Sequence, residues 1–177
     1  MHKRGELQDG AKWQEVFVLE NSCNRLHDVG LGCLIWDQMA AFITRVLYGE
    51  NFTYTQFPYF SDVPVTDDFF KYIQKLRDLN ITTMSYTYLP GEVVRRDQMA
   101  AFIVRAAQIK AGRDPENFTY TATPYFSDVP VTDPYFKYIQ KLKDLNITTM
   151  SGTYLPTGDV TRDHMAAFLA RAFLGMQ

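Results

Sequence analysis

The sequence has 177 residues, of which 46% are hydrophobic and 15% aromatic, so residues 1–177 can bury the core of a single domain. Its formal net charge of −2 gives no basic field for a nucleic-acid backbone, and no nucleic-acid partner is expected. No apolar run approaches the roughly 18 to 20 residues that span a bilayer, so membrane insertion is not expected either.

The first 35 residues have the least regular pattern of the chain. Cys23 and Cys33 are its two cysteines, and their spacing fits either a disulfide or two small buried hydrophobic side chains. The three histidines have no metal-ligand spacing relative to these cysteines, so we predict no metal site and no cofactor. Residues 1–10 lack the apolar stretch of a signal peptide, and residues 11–20 can be aligned with the first helix of the later repeats.

A ten-residue motif occurs three times in the chain. It reads WDQMAAFITR at 36–45, RDQMAAFIVR at 96–105 and RDHMAAFLAR at 162–171. Between the last two copies the sequence keeps an unbroken register of 66 residues, so that ENFTYT begins at 50 and again at 116. A single repeat buries too little surface to be stable, and the repeats are therefore expected to stack. The predicted boundaries are a partial or degenerate repeat at 1–49, a second repeat at 50–115 and a third at 116–177.

Each full repeat contains a turn-rich segment, PYFSDVPVTD, at 58–67 and 124–133. Pro, Ser and Asp favour turns over regular structure. Asp62 and Asp128, at the centre of the turn, can either line a site or bond local backbone groups. We interpret both as structural, because Asp in such a turn commonly bonds its own backbone.

The segment after each turn is predicted to form a short amphipathic helix. From Phe69 to Leu79, apolar side chains recur at three- and four-residue steps. Asn80 and Asn146 come next in the two copies, and each is followed by Ile. This pattern predicts a left-handed residue that ends the helix.

The ten-residue motif is predicted to form a second helix after an extended loop. Thr161 is the predicted N-cap of the last copy, and the carboxylate of Asp163 complements the helix dipole. Met165 and Phe168 begin an apolar stripe, and the alanines between them permit close packing with other helices. The repeat is thus helix, loop, helix.

The order of these parts resembles the S-layer homology (SLH) repeat. F-S-D-V-P, an aromatic helix, a Tyr-x-Pro loop and R-D-x-M-A-A-F follow one another over 60–105 and 126–171, and 36–45 resembles the end of a third copy. The resemblance implies a mainly α fold in which helix-loop-helix repeats pack as a pseudo-threefold bundle, with the first repeat incomplete. It also implies that grooves between repeats bind a secondary cell-wall polysaccharide or peptidoglycan.

The resemblance also points to two arginines. In the family, a basic residue at the start of the second helix contacts an acidic sugar, and Arg96 and Arg162 hold that position here. A guanidinium can bind a carboxylate through two hydrogen bonds, and the amides of the first helical turn add positive potential. The adjacent carboxylates Asp97 and Asp163 are included in the candidate ligand-binding site. The alternative is that each arginine pairs with such a neighbouring carboxylate.

Departures from the family pattern define the remaining candidate residues. The first copy has Trp36 in place of the arginine, so it lacks the cation but offers an indole that can stack on a sugar. Arg95 adds a second cation beside Arg96. Tyr88 and Tyr154 lie on the extended loops and are candidates to face a groove.

These features predict a non-catalytic module at the bacterial cell surface that anchors its protein to an acidic wall polymer. The alternative is a self-associating structural module of a surface layer or filament, because an incomplete first repeat leaves apolar surface for another chain. A glycosidase needs two facing carboxylates at a defined separation, and the sequence gives no sign of such a pair. We therefore predict no catalytic residues and no enzyme activity.

Overall fold

The computed structural model describes residues 32–175, which form five α-helices joined by long loops. The helices are α1 (Trp36–Tyr48), α2 (Phe70–Asp78), α3 (Arg96–Lys110), α4 (Phe136–Asp144) and α5 (Arg162–Leu174). The described residues contain isolated β-bridges in place of strands, so this part of the chain is mainly helical, as predicted. None of the five helices is both long enough and apolar enough to cross a bilayer. Cys23 and the aligned stretch 11–20 lie outside the described residues.

The short helices α2 and α4 follow the predicted amphipathic pattern. In α2, Tyr72 and Ile73 are buried, with 4% and 0% of their surface exposed. Each helix is followed by an asparagine with a positive φ, 56° at Asn80 and 55° at Asn146. The prediction of a left-handed residue at these positions is confirmed, and Asn reaches this conformation at a lower cost than most side chains.

The three long helices contact one another, and the short helices pack on them from outside. α1, α3 and α5 each carry one copy of the ten-residue motif, and all three pairs among them are in contact. α2 packs on α1, and α4 packs on α3. Alanines permit the close approach, since Ala100 and Ala101 on α3 are 0% and 1% exposed.

Three backbone hydrogen bonds form a closed ring just before the long helices begin. The N–H of Leu34 donates to the carbonyl of Val160 at 2.7 Å, that of Val160 to Val94 at 2.9 Å, and that of Val94 to Leu34 at 2.9 Å. Each of these residues is 0% exposed and lies two positions before the first residue of its helix. The ring therefore fixes the three helix starts relative to one another.

A buried glutamine in each short helix holds the loop that precedes the helix. Gln140 is 0% exposed, and its Nε2 donates to the carbonyls of Thr121 and Thr123 at 2.8 and 2.6 Å. Its Oε1 accepts the N–H of Tyr125 at 3.2 Å. Gln74 makes the equivalent hydrogen bonds in the preceding repeat.

Charged clusters join two of the long helices, α1 and α3, to the short helices that pack on them. Arg105 of α3 contacts Glu116 through Nε at 2.6 Å and donates to the hydroxyl of Tyr138 through Nη2 at 2.8 Å. Glu116 also accepts hydrogen bonds from Tyr138 at 2.5 Å and from Lys137 at 2.7 Å. The equivalent cluster between α1 and α2 consists of Arg45, Glu50, Lys71 and Tyr72.

Candidate functional site

Most of the predicted site residues lie where the first turn of a long helix meets the Tyr-Leu-Pro loop of the following repeat. We call these places the α1 junction, where Trp36 meets Tyr88, and the α3 junction, where Arg96 meets Tyr154. The first residue of α5, Arg162, lies beside Gln38 of α1, and we call this place the α5 junction. The structure thus separates the eight predicted residues into three groups.

Loop carbonyls occupy the first amides of α3. The N–H of Arg96 donates to the carbonyl of Gly158 and that of Asp97 to the carbonyl of Pro156, both at 2.9 Å. The first two amides of α1 are occupied in the same way by Glu92 and Pro90. The expectation that the first-turn amides beside Arg96 add positive potential for a ligand is therefore corrected at the α3 junction.

Tyr88 and Tyr154 are structural anchors. Both are 0% exposed, and their hydroxyls donate to the backbone carbonyls of Trp36 at 3.0 Å and Arg96 at 3.1 Å. Burial raises the pKa of both hydroxyls above the usual value. The prediction that these rings face a groove is wrong, because both rings are fully buried, packed against Phe60 and Phe126 respectively.

Two aspartates hold the backbone of the Tyr-Leu-Pro loops. Asp128 accepts hydrogen bonds from the N–H groups of Tyr154 and Leu155, both at 2.8 Å, and Asp62 binds the equivalent pair in the preceding repeat. Leu155 has a φ of 58°, which is a costly conformation for a branched side chain. The aspartates are structural, as interpreted, but they bond a distant loop rather than their own turn.

Trp36 is part of the core at the α1 junction. It is 7% exposed and packs edge to face with Tyr88 and Phe102, at centroid distances of 5.6 and 5.2 Å. Its indole therefore has no free face for a sugar, and that expectation is corrected. The indole of Trp36 occupies the place that the guanidinium of Arg96 occupies at the α3 junction.

Arg96 is a buried cation at the α3 junction, with 8% of its surface exposed. Its Nε donates to the carbonyl of Tyr154 at 2.9 Å, and its guanidinium lies 5.0 Å from the centre of that ring. Its Nη2 contacts the sulfur of Met150. A Cβ at Gly158 would lie 3.3 Å from the Arg96 Cδ, so this glycine permits the close approach of the loop. Burial lowers the pKa of Arg96.

Arg95 and Asp97 neutralise each other beside this site. The guanidinium of Arg95 binds the carboxylate through Nη2 at 2.8 Å and Nε at 3.2 Å. The hydrogen bond to Asp97 raises the pKa of Arg95. Asp97 was the alternative partner expected for Arg96. Because Asp97 pairs with Arg95 instead, Arg96 binds the Tyr-Leu-Pro loop.

Arg162 is the exposed arginine at the α5 junction. Its Nε donates to the Oε1 of Gln38 at 3.2 Å, an amide partner rather than a carboxylate. Asp163 beside it accepts a hydrogen bond from the hydroxyl of Thr161. Thr161 holds the predicted N-cap position, but its side chain makes no capping hydrogen bond to the helix backbone. The hydrogen bond from Thr161 and the nearby His164 lower the pKa of Asp163 against the opposing effect of burial.

The two motif arginines differ from Arg45, Arg95 and Arg105 in their partners. Among the ion pairs within residues 32–175, which include Arg45, Arg95 and Arg105, neither Arg96 nor Arg162 takes part. Carbonyl, thioether and amide groups are their hydrogen-bond partners. Such a guanidinium can still bind an incoming carboxylate. Within the same residues, no three His, Cys, Asp or Glu side chains are placed to hold a metal ion.

The sequence of the third repeat matches a known family. Residues 125–166 match the family model described as the S-layer homology domain. This segment includes Tyr154, Arg162 and the loop that contacts Arg96. The chain matches no curated protein at a significant level. S-layer homology domains are in general cell-wall anchoring modules that bind rather than catalyse, and such a domain implies association with the cell surface.

Proposed function

We propose, from the S-layer homology segment at residues 125–166, that this chain is a non-catalytic module anchoring its protein to the bacterial cell envelope. Its ligand is an acidic secondary cell-wall polysaccharide or a peptidoglycan-linked polymer. The observation that carries this proposal is the pair of motif arginines, Arg96 and Arg162, whose hydrogen-bond partners within the described residues are neutral. The carboxylates of Asp128 and Asp37 act on them only from beyond ion-pair distance. A carboxylate on the polymer would supply a counter-charge in direct hydrogen-bond contact.

The two arginines contribute differently to this proposal. Arg162 is exposed and can meet the polymer directly, whereas Arg96 is 8% exposed and needs a local rearrangement. Arg162 is therefore the primary contact and Arg96 a second one. Asp163 and the Arg95–Asp97 pair flank these contacts and tune the local charge.

The proposed architecture is a pseudo-threefold bundle of repeats at 1–49, 50–115 and 116–177. The ring of hydrogen bonds among Leu34, Val94 and Val160 supports it, because each repeat supplies one residue and each bond crosses between repeats. The mutual contacts of α1, α3 and α5 support it as well. In this arrangement the polymer-binding grooves lie between neighbouring repeats.

The direct test is sedimentation of the purified chain with cell-wall sacculi that retain their acidic polymer. We expect the wild-type protein to sediment with them, and to stay in solution with sacculi stripped of that polymer. Arg162→Ala should weaken binding roughly tenfold, the effect of losing one charge-assisted hydrogen-bonded contact. The double variant with Arg96→Ala should weaken it further.

Arg113→Ala is the matched control, since it removes one positive charge from an exposed arginine outside the junctions. It should sediment like the wild type. Equal loss in Arg113→Ala and Arg162→Ala would indicate a general charge effect and would contradict a site at the α5 junction. Full binding by the double variant would contradict the role of both arginines.

Exposed aromatic side chains favour a second candidate, self-association in a surface layer or filament. Phe57 and Tyr86 are 83% and 82% exposed, which is unusual for large apolar side chains. Light scattering over a range of concentrations tests this candidate. A mass that rises with concentration and falls back in Phe57→Ser with Tyr86→Ser would support it, and a constant monomer mass would contradict it.

A further inference from the structure

Arg96 has an unusual set of partners for a buried cation. One donor is satisfied by the carbonyl of Tyr154 at 2.9 Å, and the Nη2 group contacts the sulfur of Met150. A thioether is a weak acceptor, and it carries no charge. Burying a cation is costly and a carboxylate is a stronger acceptor than a thioether, so an anion that replaced the sulfur would be bound favourably.

We propose that Met150 is a gate over Arg96, which a carboxylate of the wall polymer displaces in order to bind the guanidinium. This inference rests on the proposed function and adds a specific residue that controls access to the second arginine. The thioether holds the place of the ligand oxygen when the site is empty. Binding then exchanges a weak neutral acceptor for a charged one.

The surroundings of Met150 permit its side chain to move while its backbone stays in place. Its carbonyl accepts a hydrogen bond from the Nζ of Lys143 at 2.7 Å, and its N–H donates to the hydroxyl of Thr148 at 3.3 Å. Its side chain is half-buried, and methionine has three rotatable bonds with low preference among them. Opening the gate therefore requires rotation of a single side chain.

The preceding repeat provides an internal comparison. Met84 occupies the same place in its loop, and its N–H donates to the hydroxyl of Thr82 at 3.4 Å as Met150 does to Thr148. At the α1 junction, however, Trp36 replaces the arginine. Met84 thus lies on an equivalent loop, but its junction contains no motif arginine. The side chain of Met84 should therefore not move when an anion is added.

The first experiment observes both side chains in the full chain labelled with ¹³C at the methionine methyl groups. Sodium pyruvate is the probe, with sodium chloride at the same ionic strength as the reference, and Met84→Leu and Met150→Leu assign the two signals. We expect the Met150 signal to shift in a saturable way and the Met84 signal to stay constant. In Arg96→Gln the Met150 shift should disappear. An unmoved Met150 signal, or equal shifts at both residues, would overturn the gate.

The second experiment measures the affinity for pyruvate in gate variants. Met150→Leu keeps the volume and removes the sulfur, and Met150→Ala also opens the space, so either variant suffices should the other fail to fold. We expect the Kd for pyruvate to fall roughly threefold to tenfold in both variants. The reason is that pyruvate no longer has to displace the sulfur contact, which is equivalent to one modest hydrogen bond. Met84→Leu should bind as the wild type does. Unchanged or weaker binding in the Met150 variants would overturn the proposal.

The Met150 gate and the anchoring function can be contradicted separately. A wild-type protein that sediments with sacculi while its Met150 signal ignores pyruvate contradicts the gate and leaves the anchoring function standing. A protein that fails to sediment contradicts the anchoring function. In that case a saturable, Arg96-dependent shift at Met150 would still establish the gated anion site.

Discussion

The hydroxyl of Tyr154 donates a hydrogen bond to the carbonyl of Arg96 at 3.1 Å, and the Nε of Arg96 donates one back to the carbonyl of Tyr154 at 2.9 Å. This reciprocal pair joins two repeats through residues 58 positions apart in sequence. At the α1 junction Tyr88 makes the first bond, to Trp36, and the indole packs against the tyrosine ring. The two junctions therefore share an anchor and differ in the side chain beside it.

Removing the anchoring hydroxyl should destabilise the fold. We expect Tyr154→Phe to lower the free energy of unfolding by about 1 kcal/mol, because the buried carbonyl of Arg96 would lose its donor. Tyr88→Phe should have a similar effect through the carbonyl of Trp36. Urea unfolding measures both. Tyr120→Phe, at a residue that is 42% exposed, is the control and should change stability little; a Tyr154→Phe protein as stable as this control would contradict an anchoring role.

The aspartate that holds the Tyr-Leu-Pro loop should be a strong determinant of stability. Asp128→Ala removes the acceptor of two backbone N–H groups, those of Tyr154 and Leu155. Hydrogen bonds to a charged acceptor contribute about 1.5 to 3 kcal/mol, so we expect a loss of about 2 to 3 kcal/mol in urea unfolding. Asp68→Ala, at an exposed aspartate of the preceding repeat, should change little. Equal effects of the two substitutions would mean that the loop does not depend on its carboxylate.

The asparagines that follow the short helices offer a test of backbone conformation. Asn146→Ala should cost about 1 kcal/mol, since alanine at a φ of 55° brings its Cβ close to the carbonyl. Asn146→Gly should be neutral or slightly stabilising at the same position. The same pair of substitutions at Asn80, where φ is 56°, should repeat the result. Thermal unfolding provides the comparison, and an alanine variant more stable than the glycine variant would contradict it.

The charged clusters should make the fold sensitive to acid. Hydrogen bonds from Tyr72, Arg45 and Lys71 lower the pKa of Glu50 from 4.5 to about 2. The pKa of Glu116 is also lowered, by Lys137, Tyr138 and Arg105 against the opposing effect of burial. A carboxylate whose pKa is lower in the folded state contributes stability that is present above pH 4.5 and is lost as the pH falls toward the folded pKa.

We therefore expect the thermal midpoint to fall steadily as the pH is lowered from about 4.5 to about 2, the window set by the unfolded and folded pKa values of Glu50. Circular dichroism at a series of pH values measures this dependence. Glu50→Gln with Glu116→Gln should be less stable at neutral pH and should show a shallower fall in acid. Glu92→Gln, an exposed glutamate in neither cluster, should leave the slope unchanged. An unaltered slope in the double variant would contradict the assignment.

Local features of the sequence predicted local structure well. The amphipathic spacing from Phe69 onward and the asparagine at position 80 each depend on neighbours within one or two turns, and each is found as predicted. The resemblance to S-layer homology repeats was likewise carried by motif order, and residues 125–166 confirm it.

Side-chain burial at the junctions could not be derived in the same way. Whether Tyr154 faces solvent depends on Arg96, 58 positions earlier, and no local pattern encodes that distance. Sequence reasoning also missed the charged clusters, although one signal was available. Arg45 and Arg105 end two copies of the ten-residue motif, and each precedes an ENFTYT segment whose glutamate it binds.

The hydrogen-bond ring of Leu34, Val94 and Val160 has a consequence for how such a chain can change in length. An open stack of repeats has two ends, and a further repeat can be added at either of them. A ring in which every donor and every acceptor is already used has no end to extend. Duplicating one repeat would leave the new unit without a partner, so such a chain would lengthen by copying the whole ring.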